Sequence, residues 1–233
     1  MAPAVPVLEA RPTLPIVALK ERFPVRRAFC IGRNYAAHAI EMGGDPEKDP
    51  PFFFMKPAEA MLAVEPGVTT DLPYPPGTKD FHFEAELVVA LHAGGKNIAE
   101  ADAHRHVYGL AVGLDMTRRD LQGEAKKLGR PWEIGKAGDF SGPVGAITPF
   151  ELGAMTRDMA VQLTVDGVVK QKATLAHMIW SIPQQIAILS QYFELRPGDL
   201  IFTGTPEGVG AVTRGQTMHV EIDRLTSITL KVV

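Results

Sequence analysis

Residues 81–91, FHFEAELVVAL, constrain this chain more than any other stretch. Read as a strand, with side chains alternating sides, one side carries Phe81, Phe83, Ala85, Leu87, Val89 and Leu91. The other begins with His82, Glu84 and Glu86 and then turns apolar at Val88 and Ala90. A strand with one solvated side would stay polar to its end. This one heads into a core and carries two carboxylates in at the entrance. Their backbones lie roughly 6.6 Å apart on one side. At an effective dielectric near 20, two unit charges at that distance repel by about 2.5 kcal/mol, and burial adds a desolvation cost. Bulk water, a proton on one carboxyl, or a cation between the two would each relieve the repulsion.

With 233 residues, 45% hydrophobic and 22% charged, the chain is long enough to bury a sizeable core. A net charge of −3 leaves no basic footprint for nucleic acid. The single cysteine, Cys30, precludes an intrachain disulfide and fits a reducing compartment. Within AFCIG it is expected to be a buried structural thiol. No run approaches the ~20 apolar residues that cross a bilayer, and MAPAVPVLEARPTLP has no basic region followed by an apolar one. The expectation is a cytoplasmic protein with a small-molecule substrate and neither nucleic-acid nor membrane partners.

Glycine and proline punctuate the chain into many short elements. Residues 1–25 read as an extended arm with a short strand, and 26–233 as one compact β-rich domain with a few helices. Strands are expected at 26–32, 52–57, 107–117, 199–204, 218–223 and 227–233, and a hairpin at 159–171 turning on Asp166-Gly167. Helices are expected at 34–44, opened by Asn34 and ended by Gly43-Gly44, at 117–129, and at 181–195. For 117–129 the expected N-cap is Thr117 and the apolar stripe is Leu121, Ala125 and Leu128.

A third acid, Asp115, closes the strand GLAVGLD, where functional groups often gather; helix capping is its alternative role. Three carboxylates without cysteine or paired histidine describe an all-oxygen site suited to Mg²⁺, Mn²⁺ or Ca²⁺. A two-histidine, one-carboxylate iron site would need His82, Glu84 and a distant His177. His38 and Glu41 share a helix face, and a carboxylate beside an imidazole suits a general base, although such pairs are common on solvated helices. Lys136 lies in a Gly-rich stretch where a surface lysine is the default. TGTPEGVG (203–210) brings backbone amides close to a ligand and offers Thr203 and Thr205, but lacks the lysine of a phosphate loop.

The ordered set IGRNYAAHAIEMG, PFFFMKP, FHFEAELVV, GLDMTRRDLQ, KKLGRPW, KAGD and TGTPEGVG resembles the fumarylacetoacetate hydrolase family in its short bacterial form. The resemblance implies an α+β fold built on a mixed β-roll or barrel, usually a homodimer, with one divalent cation per site, Mg²⁺ or Mn²⁺. It implies Glu84, Glu86 and Asp115 as metal ligands and His38 with Glu41 as the water-activating pair. Arg119, Gln122, Lys136 and Thr205 fall where relatives contact substrate oxygens, with Lys56 a further candidate. Where many relatives read Lys-Gly-Phe-Asp, this chain has Lys136-Ala137-Gly138-Asp139. The implied activity is hydrolysis of the carbon–carbon bond of an acylpyruvate, a 2-oxo acid. RRDLQGEAKKLGRPW and PPFFFMKP are most similar to members that cleave fumarylpyruvate in gentisate breakdown. Oxaloacetate decarboxylation and isomerisation of 2-hydroxy-dienedioates use the same kind of site, and a non-catalytic metal-binding module is the reading from another class.

Overall fold

The computed structural model describes residues 10–41, 50–149 and 157–233. The helix end expected at Gly43-Gly44 lies outside them. The architecture is α+β with a mixed sheet at its centre. Seven strands follow one another in hydrogen-bonded order, with Ala85–Leu91 in the middle between Val107–Leu114 and Asp199–Phe202. Both of those neighbours are antiparallel to it, whereas Asp199–Phe202 runs parallel to Arg27–Gly32, whose other neighbour is Phe52–Pro57. A five-stranded sheet includes the hairpin of Ala160–Val165 and Val168–Thr174. Its turn residues have φ of 49° (Asp166) and 79° (Gly167), the left-handed pair that a two-residue hairpin requires. Residues 13–24 form a short antiparallel pair, Thr13–Pro15 with Arg22–Pro24.

Every residue of Ala85–Leu91 is buried. Its two faces feed two cores: Ala85, Leu87, Val89 and Leu91 join the larger, Val88 and Ala90 the smaller. Burying each large aliphatic side chain contributes about 1.5–3 kcal/mol, so the alternation fixes the register firmly. The expected continuous strand is interrupted at Glu84. Upstream, Phe81–Phe83 belongs to a different, three-stranded sheet with Thr117–Arg118 and Gly210–Val212. The neighbouring strand changes sheets at the same level, between Leu114 and Thr117, and Asp115 N–H donates to the Glu84 carbonyl at 2.9 Å. Two adjacent chains thus leave the large sheet together, and their acids sit at that corner.

Three local expectations are corrected. Thr117 does not cap the next helix, which spans Arg119–Lys127. Its hydroxyl lies 3.3 Å from Glu84 Oε1 instead. The buried face of that helix is Gln122 and Ala125, and Leu128 is exposed. Asn34 ties loops together rather than opening a helix: its amide donates to the Thr203 and Trp180 carbonyls and accepts from Trp180 N–H. The helix it precedes spans Ala36–Glu41. Ser181, by contrast, caps Ile182–Tyr192 through a reciprocal box with Gln184.

Candidate active site

A small, partly enclosed cleft opens at this corner. Glu84, Glu86 and Asp115 form its floor, and all three are buried. Each offers an oxygen within 4.8 Å of the others. Lys136 is not a surface lysine. It ends the short helix Glu133–Lys136, which approaches the longer helix through Gly135, where a Cβ would fall 2.8 Å from Gln122 Cβ. That close approach lowers the ammonium into the acids. Its three N–H groups reach Asp115 Oδ2 at 2.7 Å, Thr117 Oγ1 at 2.7 Å and Glu84 Oε2 at 2.9 Å. Arg119 binds the other Glu84 oxygen and donates to Gln122 Oε1 at 2.6 Å.

The charges settle unequally. Burial alone would raise the Glu84 pKa, but the Lys136 ammonium and the Arg119 guanidinium outweigh it and hold the carboxyl well below its usual range. Glu86 goes the other way. Burial, then the charges of Asp115 and Glu84, push it well above, against which the Gly204 amide, 2.7 Å from Oε2, is a smaller counterweight. Lys136 is raised: burial opposes its charge, but Asp115 and Glu84 hold its proton more strongly.

His38 is buried at the cleft's edge, and its Nδ1 lies 3.1 Å from Glu41 Oε2. That contact leaves Nε2 as the nitrogen not engaged by Glu41. Thr205 also lines the cleft, but its hydroxyl donates to Ala85 O and accepts from Gln171 Nε2, both at 2.9 Å. Lys56 does not line the cleft. Fully buried behind the floor, it bonds the Lys136 carbonyl and Ser141 Oγ and lies 2.9 Å from Asp115 Oδ1. The last contact is an ion pair between two almost fully buried groups. Phe52, Phe54 and Trp132 form an apolar wall, with Trp132 edge-on to Phe52 at 5.3 Å.

Sequence reasoning missed Thr117, Gln171 and this aromatic wall. Gln171 is the one buried residue of its strand, accepting from Ala85 N–H and donating to Thr205 and Pro206. Nothing in VVKQK distinguishes it from its solvated neighbours.

The donor set fits a hard dication. Three all-oxygen ligands spread over about two metal–oxygen bond lengths, and Glu86, pushed up by burial and by the charges of Asp115 and Glu84, gains from a cation placed among the three.

Fold and site together define an enzyme-type cleft, floored by paired acids and walled by aromatic rings. The chain belongs to the fumarylacetoacetate hydrolase family: the model for the C-terminal region of fumarylacetoacetate (FAA) hydrolase matches residues 27–233. It is 42% identical to a fumarylpyruvate hydrolase of a Ralstonia species, over 78% of this chain and 92% of the relative. To a mitochondrial oxaloacetate tautomerase of Arabidopsis thaliana it is 39% identical, over 87% and 88%. The crystal structure of Pseudomonas aeruginosa fumarylpyruvate hydrolase in complex with Mn²⁺ and pyruvate superposes with a TM-score of 0.96 at 51% identity, covering 99% of both chains.

Proposed function

We propose that the protein is a metal-dependent acylpyruvate hydrolase that converts fumarylpyruvate and water to fumarate and pyruvate. One observation carries the reading: the His38–Glu41 pair stands at the edge of a cleft floored by three inward-facing acids. Enolate-forming chemistry needs the acids alone. A water-activating pair beside them is what hydrolysis adds.

Glu84, Glu86 and Asp115 would hold Mg²⁺ or Mn²⁺. Bound there, the cation supplies Lewis acidity for the negative charge that builds on the pyruvate half. Glu41 accepts from His38 Nδ1–H, fixing the tautomer whose Nε2 takes a proton from water as that water adds to the C4 carbonyl. Gln122, with its oxygen engaged by Arg119, has its amide N–H₂ left for the oxyanion. Lys136 holds two carboxylates, and relieved of one it has an N–H for the same task. The C3–C4 bond then breaks. C4 leaves as the new carboxylate of fumarate, and C3 takes a proton to complete pyruvate. Phe52, Phe54 and Trp132 keep bulk water from the conjugated acyl chain.

The similarity to the Ralstonia and Pseudomonas proteins supports the fumaryl group and a place in gentisate breakdown. A homodimer would cover the exposed apolar side chains Met55, Ile134 and Tyr192. The lone buried thiol of Cys30, and the lack among the described residues of a helix long and apolar enough to cross a membrane, support a cytoplasmic setting. Oxaloacetate tautomerisation is the second reading, supported by the Arabidopsis relative. The test compares kcat/KM for fumarylpyruvate, acetylpyruvate and oxaloacetate with Mg²⁺ or Mn²⁺. Cleavage of fumarylpyruvate ahead of the others is expected. Enol–keto interconversion of oxaloacetate without acylpyruvate cleavage would establish the second reading.

A further inference from the structure

Along the helix Arg119–Lys127, the residues at i, i+3 and i+7, Arg119, Gln122 and Lys126, share one face, and all three line the cleft. An ordinary amphipathic helix turns its apolar stripe inward. This one turns a polar stripe toward a partly enclosed cleft, which is a recognition surface rather than a packing surface. Arg119 sits against the acids through Glu84. Lys126 lies seven residues further along, roughly 10 Å at the helical rise. Between them is Gly123, where even a Cβ would meet nothing within 4 Å, so the middle of the stripe is open.

Arg33 lines the same cleft. Its φ of 56° is left-handed, a conformation that glycine or asparagine adopts more readily, so an arginine persists there against backbone preference. Its guanidinium carbon lies 5.7 Å from the centre of the Phe52 ring, and that ring lies over Gly32, where a Cβ would fall 2.1 Å from Cζ. The ring is therefore seated on the backbone beside Arg33. Among the described residues, Arg33, Arg119 and Lys126 bring positive charge to the lining of that cleft, which suits an anionic ligand.

We propose that Arg33 and Lys126 form a second anion subsite, separate from the acid floor, which receives the distal carboxylate of a diacid lying along the Phe52–Phe54–Trp132 wall. The inference rests on the acylpyruvate reading and deepens it: the acyl group selected is flat, conjugated and ends in an anion. A seven-carbon chain with six bonds of ~1.5 Å, lengthened by its carboxylate oxygens, bridges a gap of that size when extended.

The experiment uses the Mn²⁺-loaded protein with Arg33→Met, Lys126→Met and the double variant. Removing a charge-assisted hydrogen bond from the subsite should raise KM for fumarylpyruvate by about 10- to 100-fold and lower the fumaryl-over-acetyl preference in kcat/KM by the same factor. An unchanged preference in the double variant would overturn the subsite. Calorimetric binding of fumarate against crotonate, the same carbon chain with one carboxylate fewer, provides a readout without turnover. Tighter binding of fumarate by the wild type, abolished in Lys126→Met at its exposed position, is expected. Equal binding of the two acids by the wild type would refute the subsite. A wild type that cleaves no acylpyruvate yet prefers fumarate overturns the reaction and leaves the subsite standing.

Discussion

Lys136→Met is the most informative single perturbation. The methionine keeps much of the side-chain volume and removes an ammonium whose three N–H groups are all committed within 2.9 Å. Both Lys136 and its carboxylates are almost fully buried, so little solvent screening softens the loss. Breaking a buried pair by deleting one member costs about 3–5 kcal/mol. In a chain of this length 1 kcal/mol corresponds to roughly 2–4 °C in Tm, so the metal-free variant should melt roughly 6–20 °C lower. Mg²⁺ or Mn²⁺ should then restore more of that stability than it adds to the wild type, because the cation no longer shares the acids with an ammonium. Activity should fall about 10²- to 10³-fold, the usual effect of losing one oxyanion donor. Scanning fluorimetry in EDTA and in saturating Mn²⁺ reads both effects on stability. A metal-induced shift in Lys136→Met smaller than that of the wild type would refute the reasoning that lysine and cation serve the same acids.

Further outcomes follow from the other residues. His38→Ala should leave Mn²⁺ binding unchanged and lower kcat about 10²- to 10⁴-fold; near-normal kcat would remove His38 from the role of base. Glu86, raised in the folded state, contributes stability that is whole below the ordinary carboxylate range and is lost as pH rises toward its folded value. Glu84, held low, does the reverse and loses its contribution as pH falls. Glu86→Gln in EDTA should therefore melt above the wild type at pH 8 and keep the acid limb; a lower Tm at pH 8 would contradict this. Gln171→Leu strips a partner from Ala85 N–H and the Pro206 carbonyl, at about 1–3 kcal/mol each. A fall in Mn²⁺ affinity should accompany it, because the loop that presents Gly204 N–H to Glu86 loses its clamp. Calorimetry that finds affinity unchanged would limit Gln171 to stability.

The central strand is legible in the sequence because a two-residue period leaves little choice: one side is apolar throughout, and the other turns apolar after His82, Glu84 and Glu86. Asp115 is legible as the acid closing the neighbouring strand. The break at Glu84 is not, because it depends on two chains changing sheets at one level, which local alternation does not encode. Thr117 misleads because TRRD looks like the start of a helix whether its hydroxyl caps that helix or faces Glu84. Leu121 and Leu128 satisfy the helical period, yet the buried side follows Gln122, since the helix lies over a polar cleft. The burial of Lys56 and Lys136 leaves no local trace. Each is held by groups 60 to 85 residues away in one case and 19 to 52 in the other.

Mn²⁺ soaked into crystals of the wild-type protein, followed by anomalous diffraction, tests the metal site at its base. One strong peak per chain, in bonding contact with Glu84, Glu86 and Asp115, is the predicted result. Saturating Mn²⁺ that leaves those three carboxylates without a peak, or that binds elsewhere in the chain, would contradict it.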